Sequence, residues 1–225
     1  MNEFLSALFG ESSGFIEVRA IEVSTGSVSQ SFINIEKEVA KVALGLKDTH
    51  DVFVGVLPRL SRRGRAEDIA PLTTVLWMDL DPKAMPKATV FRTLARISPP
   101  PQIIVDSGSG YHAYWLLKNQ YTWDESERVM RGMANAYGGD RVYDRARILR
   151  LPGTLNHKTI PPKPVRLLRL DVLRPRYSLS DFADYVEDYS VAVGPSWAEV
   201  FGEVKRTTNG GTAGLPVWLI DLCQE

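Results

Sequence analysis

Asp79 and Asp81 close the apolar run TVLWMDLD (74–81), which reads as a buried strand. Residues i and i+2 of a strand share a face, so the two carboxylates point the same way about 7 Å apart. Like charges so placed repel unless a cation lies between them, and hard oxygen ligands suit Mg2+ or Mn2+. An apolar strand ending in Asp-x-Asp-Pro therefore has two readings, a divalent-cation site or a strand-end turn punctuated by Asp-Pro.

A second stretch, DSGSGYHAYW (106–115), has the makings of an anion cradle. Gly108 and Gly110 would let backbone N–H groups approach a phosphate, Ser107 and Ser109 add hydroxyl donors, and His112 projects from the following strand. The plainer alternative is a hairpin turn leading into a core strand that happens to carry a histidine. In the third stretch, GGDRVYDRARILRLPGTLNHK (138–158), Asp140 directly follows a helix and Asp144 lies four residues on. Arg150, Asn156 and Lys158 then alternate on a strand and turn, where charge-assisted hydrogen bonds to phosphate oxygens are within reach. An arginine-rich edge strand is the other reading.

These stretches need a scaffold, and the chain has the length for one. Its 225 residues suffice for one large domain or two small ones with a real core. No apolar run approaches the length a bilayer requires, and the opening MNEFLSALFGESSG is not a signal peptide, so a cytoplasmic protein is expected. The single cysteine, Cys223, rules out an internal disulfide and a cysteine-rich zinc site. Basic and acidic residues balance at 27 each, but their distribution is uneven. Between Arg141 and Arg176 ten basic residues face two acidic ones, and PRLSRRGR adds Arg59, Arg62, Arg63 and Arg65 in a loop. Such asymmetry can make a basic cleft for phosphates on a neutral protein, or only a solvated arginine face.

The expected elements are α+β. A hairpin is read around STGS between GFIEVRAIEV (14–23) and VSQSFINI (28–35), then a helix over EKEVAKVALGLK and a strand at DVFVGVLP. After the strand at 73–80, Pro86 opens a helix with Val90, Phe91, Leu94 and Ile97 on one face. QIIVDSGSGYHAYWLL reads as strand, glycine turn, strand. DESERVMRGMANAYGG is a helix capped by Asp124 with Glu127 completing a capping box, and RILRLPGTLN and PVRLLRLDVL add two strands. The order from Asp79 is β-α-β-β-α-β, that of an RRM-like (ferredoxin-like) antiparallel palm sheet. The expected division is a catalytic core over 1–176, with an N-terminal α/β part at 1–70 and the palm at 71–176. A helical C-terminal segment at 177–225 follows, read as the start of a longer protein.

Taken together, the three stretches resemble the archaeo-eukaryotic primase superfamily, and SGSGYHAYW with RILRLPGTLNHK resembles above all the primase-polymerases of phage and plasmid replication proteins. The resemblance covers roughly residues 50–170. It implies that Asp79, Asp81 and Asp140 hold two divalent cations, Mg2+ or Mn2+. Ser107, Gly108, Ser109, Gly110, His112, Arg150, Asn156 and Lys158 would hold the incoming nucleotide. The spacer before RLPG is shorter than in the primases, so Asp144 is the alternative third ligand, and Asn156 stands where they carry a histidine. The implied reaction is template-directed nucleotidyl transfer with NTP or dNTP substrates on single-stranded DNA. Arg59, Arg62, Arg63 and Arg65 would grip that strand, and a helicase or helical priming region would follow in a longer parent chain. The rivals are a metal-dependent glycosyltransferase, which shares Asp-x-Asp but has no use for RLPGTLNHK, and a non-catalytic RRM-like nucleic-acid binder, which has no use for the carboxylates.

Overall fold

The computed structural model describes residues 1–10, 12–34, 36–82 and 86–186. Residues 187–225 of the expected helical C-terminal segment lie outside the described residues. Among those described, no helix is long and apolar enough to cross a membrane.

The chain opens with a helix that is not among the expected elements, α1 (Asn2–Phe9); Phe4, Leu5, Leu8 and Phe9 recur at helical spacing and all four are buried. Then come β1 (Ile16–Glu22) and β2 (Val28–Ile33), the expected hairpin, followed by α2 (Glu36–Leu46) and β3 (His50–Gly55). Alternation on β1 sends Val18 and Ala20 to a side that also buries Val52 and Val54 of β3, with Val39, Ala40 and Ala43 of α2 buried in the same core. Glu17, Arg19 and Ile21 face the opposite way.

The second half contributes β4 (Leu72–Leu80), α3 (Lys87–Leu94), β5 (Ile103–Asp106), β6 (Tyr111–Thr122) and α4 (Trp123–Tyr137), then β7 (Ile148–Arg150), β8 (Leu155–Asn156), β9 (Lys163–Pro164) and β10 (Arg166–Leu170). Antiparallel sheets result, with strand orders β2-β1-β3-β7 and β10-β5-β6-β4, and β8 with β9 forms a short pair. β6 lies between β4 and β5, as in a split β-α-β unit. The fourth strand departs from the expected order. RILR pairs with β3 in the first sheet, and it is β10 that completes the second, at the β5 edge. The N-terminal part expected to end at residue 70 thus borrows a strand from beyond it.

Helix boundaries also differ from expectation. Thr122, not Asp124, caps α4; its side chain accepts from the Glu125 N–H while the Glu125 carboxylate accepts from the Thr122 N–H. Glu127 instead accepts from Trp123 Nε1 and Arg131 Nη2. Gly138 closes α4 in the left-handed region at φ 67°, and Pro86 sits at the N-cap of α3. The segment after Tyr177 forms a 3-10 turn, Leu179–Tyr185, broken at Phe182. Phe182 is buried against Trp115 and Tyr177, so the packing continues across the boundary expected at 176.

Candidate active site

β4 and β6 run antiparallel with Asp79 directly opposite His112, and β5 places Val105 on the far side of that histidine. His112 Nε2 lies 3.8 Å from Asp79 Oδ1. The ring is 3 % exposed. Burial, and next the charge of Arg150, pull its pKa down to about 3, so the imidazole is neutral near pH 7. Burial also acts on Asp79, whose pKa is pushed up to about 7, with the charges of Asp81 and Asp140 raising it further and those of Arg147 and Lys158 opposing. The three expected carboxylates therefore share one electrostatic neighbourhood.

Asp140 reaches it because the turn after α4 returns to β4, where the Asp140 N–H donates to the Asp79 carbonyl at 2.8 Å. Asp144 instead forms an ion pair with Arg147. Of the two alternatives for a third acidic group, Asp140 is the one whose charge bears on Asp79.

A cleft of about 230 Å³ opens where the two sheets meet. Its wall joins Asp79, Asp81, Ser107, Ser109, His112, Arg150 and Lys158, all expected from the sequence, and adds Phe53 and Arg147. Arg150 is only 5 % exposed. Its guanidinium stacks over the Phe53 ring at 4.8 Å and donates to both carboxylate oxygens of Asp51, at 2.6 and 3.3 Å. Asp51 also accepts from the His157 N–H at 2.9 Å, which anchors the turn leading to Lys158. Although burial works to raise the Asp51 pKa, these hydrogen bonds and the Arg150 charge hold it below the usual carboxylate range. Asp51, Phe53 and Arg147 carry no motif of their own. The one signal in the sequence is a β-branched strand, DVFVGV, whose partner strand lies almost a hundred residues away.

The glycine turn works differently from the expected cradle. The Gly108 N–H donates to Asp106 Oδ1 at 2.7 Å, and the Gly110 N–H to Ser107 Oγ at 3.0 Å, so both backbone donors are engaged within the turn. Gly108 is needed for its φ of 90°. Gly110 is needed for space, because a Cβ there would lie 2.4 Å from the Leu80 carbonyl oxygen and 2.8 Å from Asp81 Oδ1. The turn is thus a tightly bonded support pressed against the end of β4, and it presents Ser107 and Ser109 to the cleft. Asn156 is likewise a bracket: buried, it donates to the Ser107 carbonyl at 2.7 Å and is not on the cleft wall.

Arg59 requires a correction. Expected on a strand-binding loop, it is 0 % exposed and faces inward, where it donates to Glu17 and to the Leu57 carbonyl. Arg62, Arg63 and Arg65 of the same loop are exposed. Tyr111 and Trp115 are core residues.

Residues 54–190 match the family described as RepB DNA-primase, N-terminal domain. The chain belongs to that family. No curated protein matches this primase-family chain. Among solved structures, it is similar to the AEP domain of the cyanophage S-2L primase-polymerase, with a TM-score of 0.62 at 13% identity over 82% of this chain and 95% of that one. It is also similar to primase RepB′, with a TM-score of 0.59 at 16% identity over 81% of this chain and 59% of that longer one. The catalytic domain of primase RepB′ in complex with initiator DNA gives a TM-score of 0.58 at 17% identity over 81% and 89%. At these identities the likeness is one of fold.

Whether the primase-family site suits a divalent cation can be judged from its donors. Among the described residues no group of three or more His, Cys, Asp and Glu side chains is close enough to hold a metal ion by itself. The crowded charge that raises Asp79 is nevertheless what a cation relieves, and Mg2+ commonly takes one or two carboxylates and draws its other ligands from water and substrate phosphates. The residues fit a cation that draws its remaining ligands from water or a phosphate-bearing ligand.

The raised Asp79 pKa has a measurable consequence. Folded, the group keeps its proton up to about 7; unfolded, it loses it near its ordinary value of about 4. Without divalent cations, its contribution to stability is complete below about pH 4, declines as pH climbs, and is gone above about pH 7. Thermal unfolding of Asp79→Asn without divalent ions is expected to lack this decline and to exceed the wild type in stability on the alkaline side. Parallel pH profiles in the two proteins would refute it.

Proposed function

We propose that the chain is the catalytic domain of a DNA primase-polymerase, joining nucleotides on a single-stranded DNA template. The observation that carries this reading is the sharing of one cleft by Asp79 and Asp81, at the end of β4, with Ser107, Ser109, His112, Arg150 and Lys158. The second sheet serves as the palm, and the first sheet supplies the wall with Arg150. The similar catalytic domain of primase RepB′, solved in complex with initiator DNA, supports DNA as the partner.

In this reading Asp79 and Asp81, with Asp140 beside them, would hold Mg2+ or Mn2+ ions, two in all, whose remaining ligands would come from water and the substrate phosphates. Divalent cations there supply the positive charge that favours loss of the 3′-hydroxyl proton and departure of pyrophosphate. The chain's own groups do the positioning. Lys158 meets phosphate oxygens as a mobile point charge, while Arg150, held by Asp51 and Phe53, presents a fixed guanidinium edge. Ser107 and Ser109 donate hydroxyl hydrogen bonds from a turn that cannot relax. Neutral His112 donates a hydrogen bond without adding charge, which spares Asp79 a competing cation.

The test is incubation with unprimed single-stranded DNA, labelled NTPs or dNTPs, and Mn2+. Short extension products are expected, and nucleoside triphosphates with Mn2+ should raise the melting temperature where sugar nucleotides do not. No product together with protection by a sugar nucleotide would replace this reading with a glycosyltransferase. His112→Ala is expected to fold and to raise the apparent KM for nucleotide about tenfold, the loss of one hydrogen bond from a neutral donor. An unchanged KM would remove His112 from the nucleotide site.

A further inference from the structure

α2 packs on one face of the first sheet, and the opposite face carries Glu17 and Arg19 of β1. On β2, Gln30 and Phe32 lie opposite Arg19 and Glu17 of β1, and Arg19 in turn lies opposite Phe53 of β3, which pairs with Arg150 of β7. These residues share one side of the sheet, opposite the side buried by α2. A strip about 15 Å long, three inter-strand spacings, thus runs from the catalytic cleft at Arg150 and Phe53 to the β2 edge. At that edge the arginine loop arches over β2 and encloses an open pocket of about 420 Å³, lined by Gln30, Phe32, Arg62, Arg63, Gly64 and Arg65.

The loop is firmly held. Arg59 and Phe15 exchange backbone hydrogen bonds of 2.7 and 2.8 Å, the Leu60 N–H donates to the Asp68 carbonyl, and Ser61 Oγ donates to Asp68 Oδ1. Arg62 stacks over the Phe15 ring at 5.2 Å. Gly64 lies so near β2 that a Cβ would come within 2.8 Å of Gln30 Nε2, and that amide is tied to Glu17 Oε1 at 3.0 Å. Three exposed arginines of this loop line the one pocket, and the exposed Glu67 carboxylate meets Arg65 at 3.7 Å. Like charges around one pocket favour an anion, and the half-buried Phe32 ring beside them favours a planar partner. Phosphate charge and a base on one ligand is the chemistry of a nucleotide unit.

We propose that the pocket between β2 and the arginine loop binds a nucleotide unit of single-stranded nucleic acid, a contact outside the catalytic cleft and joined to it by the sheet face. The inference rests on the primase reading for its biological sense, but strand binding is measured without catalysis, so the two fail separately. The guanidinium groups take backbone phosphates and Phe32 stacks on a base. The ligand is a strand and not a free mononucleotide, because an open pocket at the end of a strip suits a continuous backbone.

The experiment titrates labelled oligothymidylate by anisotropy without divalent ions over a series of salt concentrations. The Arg62→Gln/Arg63→Gln/Arg65→Gln variant is expected to bind more weakly and to lower the slope of log K against log salt by about 2, as three lost phosphate contacts on a single strand require. Phe32→Ala is expected to weaken binding about tenfold or more with the slope unchanged, and Phe32→Trp to restore it. Thermal protection by a nucleoside triphosphate with Mn2+ is expected to stay at the wild-type value in all three. Wild-type strand affinity and slope in the arginine and Phe32→Ala variants would overturn the proposal. So would loss of triphosphate protection with strand binding intact, which would make the pocket a mononucleotide site.

Discussion

Asp79→Asn is expected to reduce primer synthesis by about 10³-fold or more, since removing charge at a cation site forfeits on the order of 4 kcal/mol of transition-state stabilisation. The substitution preserves shape. The amide would occupy the place of the carboxylate on β4 opposite His112, and the backbone hydrogen bond from the Asp140 N–H to the carbonyl at that position needs no side chain. Burial and the neighbouring Asp81 and Asp140 charges already disfavour the ionised form, so neutralisation relieves the fold while disabling the site. A large activity loss with undiminished or raised stability is the signature of a group kept for chemistry. The measurement is the yield of extension products on unprimed single-stranded DNA, paired with thermal unfolding of the same preparation. Activity within tenfold of wild type would remove Asp79 from the reaction.

Glu17→Ala is expected to destabilise the fold by about 3–5 kcal/mol, the usual effect of stranding one member of a buried ion pair. The Glu17 and Arg59 side chains are both 0% exposed and joined at 2.6 Å. Glu17 also accepts from Arg19 at 2.6 Å and from Gln30 at 3.0 Å. The same carboxylate therefore ties β1, β2 and the arginine loop, and its removal leaves a guanidinium buried without its anion. At roughly 2–4 °C per kcal/mol for a chain of this size, the melting temperature should fall by about 10 °C. A Glu17→Met/Arg59→Met double variant should recover much of the loss, because paired apolar replacements remove the desolvation penalty. Urea unfolding of the three proteins checks both statements, and a single variant no less stable than the wild type would show that the pair does not hold the loop.

The half that carries the candidate site is legible in the sequence where short-range geometry sets it. Asp79 and Asp81 share a face because strand periodicity demands it, and the glycine turn between β5 and β6 brings His112 back across from Asp79 within a few residues. What those turn residues do is less legible. Gly108 and Gly110 read as a phosphate cradle, yet their N–H groups are spent on Asp106 and Ser107, and Gly110 exists to let β4 come close.

Residue types and short-range spacing by themselves determined the Asp-x-Asp pair, the serine turn, the histidine strand and the basic RLPG segment, since each is set by neighbours within a few positions. Tertiary structure alone decided the rest. It turned Arg59 inward onto Glu17, chose Asp140 over Asp144 as the acidic neighbour of Asp79, and sent β7 to the first sheet, where Asp51 holds Arg150. Each of these depends on which distant strand or turn lies alongside. Burial and charge at such a position are created by the partner surface, and no local pattern of residues encodes which partner it will be.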